Sequence, residues 1–358
     1  MKELDSYCSY PKDTKSLLEA LGEREAETIR MDLPANKLRF VSLEKALEKY
    51  KTIEKLAERI GVEPMLVNNT LDNTKMIVAV DGSPYLIGKS SWISISGRID
   101  IYGGGFAELE PDDKANVINA RLKQLDDSEV KVIIVSGKVR AIMSKKYSPI
   151  PADETFKTAL QAIRNRFADV QYMSGYYDHE IAYAKLLFPE LAQQLTEIYG
   201  IPDTLVPGML ILTSDTGHAG VRIAACWKHQ QGSFRQADSE VYVRHENLNG
   251  LEKVLEEMPN LFIKYQNAAV KLAAMLNIEL QNPAMVTKKV CKALNIGDKH
   301  AKSIIELLPT IGATAYDVCM EIFSLPARLN LPEAARLELE EKIAKAINFD
   351  YEKIDADI

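Results

Sequence analysis

Asp81-Gly82 and Ser136-Gly137 each stand beside β-branched runs, and that punctuation commits part of the chain to β-hairpins. The runs are Met76–Val80 at the first dipeptide, and Val130–Val135 and Val139–Met143 around the second. A small polar residue followed by Gly supplies the positive φ that a two-residue hairpin turn needs. Trp92–Ser96 reads as a further strand by the same composition. Residues 62–150 are therefore expected to be largely antiparallel sheet. A helix near Pro111–Leu125 interrupts it, and its Pro-Asp-Asp opening suits a helix N-terminus.

The flanking stretches read differently. Over residues 11–60, Leu43, Leu47, Ile53, Leu56 and Ile60 recur at helical spacing, and Gly61 supplies a stop. Residues 153–200 read as helix again, first around Phe156, Leu160, Ile163 and Phe167, then over about Glu180–Tyr199 before Gly200 and Pro202. Residues 205–245 return to strand character, with a turn at Ser214–Gly217, and from Asn249 onward the pattern is helical. The order predicts an α+β fold: mostly antiparallel sheet flanked by helices, with a helical C-terminal lobe. The corresponding divisions are an N-terminal helical segment (1–61), an α+β core (62–248) and a helical lobe (249–358).

Composition narrows the function classes. The 358 residues carry 44 Lys+Arg against 51 Asp+Glu, a net charge of −7, which argues against coating duplex DNA over the whole surface. At 46% hydrophobic and 27% charged residues the chain is not globally disordered. Cys8, Cys226, Cys291 and Cys319 form no CxxC pair, so zinc-ribbon and thioredoxin chemistry fail and a reducing cytoplasm is expected. Neither a signal peptide nor a membrane-spanning run is read.

Motifs for catalysis are few. Tyr102-Gly103-Gly104-Gly105-Phe106 has neither the GxxxxGK[ST] nor the GxGxxG pattern and reads as a positive-φ turn. His179, His218, His229, His245 and His300 show no HxxxH or HExxH spacing, and Cys226 lies in an apolar run as a buried, inert thiol. No cofactor or metal is therefore expected. Glu129-Val130-Lys131 is an ExK on a strand that, with an aspartate such as Asp178, could form a metal-dependent nuclease site. Asp355-Ala356-Asp357 is the one DxD, in a tail expected to fray.

Local charge is more informative. Between Lys138 and Arg166 the window holds Lys138, Arg140, Lys145, Lys146, Lys157, Arg164 and Arg166 against Asp153 and Glu154, with Tyr147 and Phe156 among them. A second window holds Arg222, Lys228, His229, Arg235, Arg244 and His245 with Trp227 and Phe234, and Lys228–Arg235 reads as an exposed loop. Cations interleaved with aromatics suit a single strand, with phosphates neutralised and bases stacked. The candidate contacts are Arg140, Lys145, Lys146, Tyr147, Arg164, Arg166, Arg222, Trp227, Lys228, Arg235 and Arg244.

Three ordered passages carry a resemblance. Val139–Ile150 is similar to a pattern read as RAxLSxRYxxxxN. Pro207-Gly208-Met209 through Asp215-Thr216-Gly217 to Arg222 is similar to PGLxxTNSxxGxxxLR, and Thr314-Ala315-Tyr316-Asp317 with Leu337-Glu338 resembles a pair of closing helices. Together they resemble the phage/plasmid-like proteins of domain-of-unknown-function family 932. The chain departs at Thr213-Ser214, where that family has Asn-Ser, and after Cys226, where it has CxNG. The resemblance implies a cytoplasmic protein of a phage, plasmid or integrated element and supplies no catalytic residue. The function expected is non-enzymatic binding of single-stranded DNA or RNA in DNA metabolism. Two alternatives stand beside it: an oligomeric structural or host-interaction protein whose acidic C-terminal end meets a basic partner, and the nuclease above.

Overall fold

The computed structural model describes residues 2–125, 128–230, 232–245 and 250–357. Gln231 and the expected boundary at 248–249 lie outside them. Among the described residues twelve strands form two sheets. They are β1 (Cys8–Ser9), β2 (Thr28–Pro34), β3 (Leu38–Ser42), β4 (Met76–Val80), β5 (Ser83–Ile87), β6 (Glu129–Val135), β7 (Lys138–Ser144), β8 (Gln171–Asp178), β9 (Ala182–Leu187), β10 (Leu205–Thr213), β11 (Val221–His229) and β12 (Gly232–Val243). One sheet runs β2-β6-β7-β5-β4-β3 and the other β1-β8-β9-β10-β11-β12. Pairing is antiparallel throughout except between β5 and β7. The fold is α+β, with antiparallel sheets flanked by helices and a helical C-terminal region.

Both punctuating dipeptides close hairpins. Asp81 and Gly82 have φ of 46° and 84°, and Ser136 and Gly137 have 48° and 76°, the left-handed pair of a type I′ turn. They join β4 to β5 and β6 to β7.

Three local expectations are corrected. Residues 28–34 and 38–42 are strands within the stretch read as helical, where Leu33, Leu38 and Phe40 bury against the first sheet. Trp92–Ile99 is a helix, because Ile95 and Ile99, one turn apart, both seat in that sheet's core. The helix read over Glu180–Tyr199 is half strand: in β9 Ala182, Ala184 and Leu186 face the main core, while Tyr183 and Lys185 face the other side of the sheet. A strand buried on both faces gives no alternation to read. Pro189 then opens the helix Pro189–Tyr199, and Gly200 at φ 70° ends it.

The first sheet packs its helices around Val130, Val132, Ile134 and Val139. The second sheet lays Met209, Ile211, Ile223, Ala225 and Trp227 against the C-terminal helices, so the helical region and this sheet share one core. The opposite face of the second sheet is covered by the helix Glu333–Ile343. There Lys185 Nζ sits 2.7 Å from Glu340, and the Tyr183 hydroxyl donates to Glu333 at 2.6 Å. Among the described residues no helix is long and apolar enough to cross a membrane.

Candidate nucleic-acid interface

The two sheets meet along a polar seam, and the first basic window runs straight into it. Lys138 and Arg140 project from β7 into the interior, fully buried, toward a single carboxylate. Arg140 Nη1 lies 2.7 Å from Asp5 Oδ1, and its Nη2 donates to the Glu3 carbonyl at 2.7 Å. Lys138 Nζ is 3.3 Å from the same Asp5 oxygen and donates to Asn69 Oδ1 at 2.6 Å. Burial pushes Lys138 down to about 8 and Arg140 down to about 10, with Asp5 pulling both back up. Neither side chain reaches solvent, so neither contacts a nucleic-acid strand, which corrects the expectation for Arg140.

The rest of the seam is built from the turn between β10 and β11. Asp215 Oδ1 accepts from the Ala152 amide at 2.8 Å, and the Asp215 carbonyl accepts from the Tyr147 hydroxyl at 3.2 Å. Burial raises the Asp215 carboxyl, with Arg24 opposing from 4.0 Å. Thr216 Oγ1 donates to the His179 carbonyl, and His179 Nε2 to the Leu4 carbonyl at 2.8 Å. Burial first, then Arg140 and Arg24, push His179 down to about 2, so the ring is neutral. His218 Nε2 donates to the Ser90 carbonyl at 2.8 Å. His245 accepts from the Ile150 amide at Nδ1, which leaves its proton on Nε2 facing the Ala219 carbonyl. Each of these rings is held by a backbone group, and His245 by two.

The aromatics expected to stack bases are interior. Tyr147 is buried against His245 with ring centroids 5.3 Å apart, and burial raises its phenol. Trp227 is fully buried, donates to Gln236 Oε1 at 3.1 Å and meets Tyr265 edge to face. In the Lys228–Arg235 stretch, His229 of β11 pairs with Gly232 of β12, and Ser233, Phe234 and Arg235 are buried. Phe234 stacks on Phe323 at 3.8 Å, which is why this stretch is not an exposed loop. Arg235 pairs with Glu240 and with Glu341, the latter at 2.7 Å. Cys226 is a buried thiol pushed up to about 12.

The exposed members divide by place. Arg164 and Arg166 sit at the far end of the helix Ala152–Arg164, one donating to Thr14 and the other lying 4.5 Å over the Phe262 ring. Lys228 is half-buried near the end of β11. Lys145 pairs with Glu129. Lys146 and Arg244 are exposed and have no ion-pair partner among the described residues. Both lie at the seam, because the Ser148 amide donates to the His245 carbonyl.

One residue there escaped the sequence reading. Tyr242, on edge strand β12, is 42% exposed. It pairs in register with Arg222, whose guanidinium lies 5.3 Å from the ring centroid. Glu240 at 3.8 Å and Glu341 at 3.3 Å hold that guanidinium in place. The alternation Val241-Tyr242-Val243-Arg244 buries both valines and turns Tyr242 and Arg244 outward together, a signal legible in the sequence. The result is an open tyrosine flanked by arginines on a sheet edge, with Lys146 nearby.

The nuclease residues do not converge. Glu129 is on the first sheet, and Asp178 on the second accepts from the Tyr176 hydroxyl and the Glu180 and Ile181 amides. Asp355 accepts from the Gln281 and Asn282 amides at 2.6 and 2.9 Å, in a helix rather than a fraying tail. Among the described residues no three His, Cys, Asp or Glu side chains gather as metal ligands. No family model matches the chain, nor does any curated protein or solved structure.

Proposed function

We propose that the chain binds single-stranded nucleic acid, without cutting it, along the exposed edge formed by Arg222, Tyr242 and Arg244 with Lys146. The observation that carries this reading is the Arg222–Tyr242 pair: a ring backed by a guanidinium, lying against Gly220 and still 42% exposed. A base stacks on such a ring whatever its identity, while Arg244 and Lys146 neutralise flanking phosphates. The reading keeps the expected ligand class and moves the contact from Trp227, Tyr147 and Arg140 to the sheet edge. A role in the DNA metabolism of a phage or plasmid belongs to the same proposal.

Fluorescence anisotropy of a labelled oligonucleotide tests it. Neutralising about two phosphates, at Arg244 and Lys146, gives a log–log salt slope of about −1.4 for a single strand. Tyr242→Ala is expected to weaken binding about tenfold, and Arg244→Glu with Lys146→Glu to weaken it further and flatten the slope. No binding at low salt, or binding unchanged in these variants, overturns the reading.

A further inference from the structure

A second surface feature lies on the first sheet's helical cover. The helices Trp92–Ile99, Gly104–Glu108 and Pro111–Gln124 enclose a half-open cavity of about 420 Å³. Its walls are Trp92, Ile93, Ile101, Tyr102 and Phe106. Trp92 and Phe106 meet edge to face at 6.5 Å and 82°, so the two rings form a corner of the cavity, the slot's aromatic wall. Ile93 and Tyr102 stay 65% and 70% exposed, so large apolar groups face the opening. Gly103 at φ 108° makes the turn that folds Tyr102 back over the first helix.

Lys114 gives the slot its chemistry. It lines the cavity half-buried, with no ion-pair or side-chain hydrogen-bond partner among the described residues, and the lining contains no carboxylate. An ammonium placed beside aromatic walls without a counter-charge suits an anionic head on a planar apolar body. The geometry points to a binding site for a small aromatic carboxylate: its ring in the slot beside Trp92 and Phe106, its carboxylate on Lys114. This site is independent of the nucleic-acid reading.

Isothermal titration of the full chain with 2-naphthoate and with its neutral counterpart 2-naphthamide tests the assignment. Saturable binding of naphthoate at one site is expected. Lys114→Met should weaken naphthoate about tenfold and leave naphthamide unchanged. Ala107→Trp, on the exposed lining, should weaken both by filling the slot. Thermal melts check that the variants fold, and Lys114→Gln replaces the Met variant if that one melts early. No saturable binding up to millimolar naphthoate, equal affinity in wild type and the Lys114 variant, or indifference to Ala107→Trp each overturns the proposal.

Discussion

At the residue scale, the seam is governed by what each buried charge faces. Asp5 is the carboxylate that answers both Lys138 and Arg140. Removing it leaves two cations in a medium that solvates them poorly. Asp5→Ala is expected to lower unfolding free energy by about 3–5 kcal/mol. Adding Arg140→Met should recover part of that loss, and urea unfolding of the single and double variants measures both. His179 sets a pH dependence. Its folded value near 2 lies below its ordinary 6.5, so between those limits the unfolded chain takes up a proton that the folded chain, with Arg140 and Arg24 beside the ring, refuses. Stability is therefore lost as pH falls below 6.5. His179→Gln should flatten the fall in urea midpoint from pH 7 to 5, and an unchanged slope would show that other groups set it.

At the element scale, hairpins and terminal helices were legible because their signals are local. Gly61 and Gly200 end helices at φ 81° and 70°, and both dipeptides turn as their residue types require. Other elements depend on what lies across the fold. The Trp92–Ser96 run carries strand propensity, yet Ser94 Oγ donates to the Ser91 carbonyl and accepts from the Ile142 amide, fixing a helix against β7. The second basic window was legible as charge but not as structure. Arg222 and Arg235 answer Glu240 and Glu341, and Glu341 is distant in sequence on the helix Glu333–Ile343. Glu340 on that helix is buried with Lys185. Glu340→Ala strands the lysine and should cost about 3–5 kcal/mol, whereas Lys185→Met with Glu340→Leu should fall near wild type. Thermal melts separate the two outcomes.

At the scale of the whole molecule, the −7 net charge is compatible with a local contact surface only where cations escape their partners. Most do not. Lys138, Arg140, Arg235 and Lys145 are committed to Asp5, Glu240, Glu341 or Glu129, and only a folded chain shows which acid meets which base. At the seam, two window cations stay open beside Tyr242 where β12 ends, Arg244 and Lys146. The same separation explains why Trp227 could be read either way: its strand is apolar on one side and basic on the other, and the ring falls on the apolar side. Photocrosslinking tests the location directly. A single strand carrying 5-iodouracil, irradiated with the full chain and mapped by mass spectrometry, is expected to attach to the peptide containing Tyr242, with loss of the adduct in Tyr242→Ala. A bound strand that attaches instead to the Arg164–Arg166 peptide, or that attaches equally in the variant, would contradict the account.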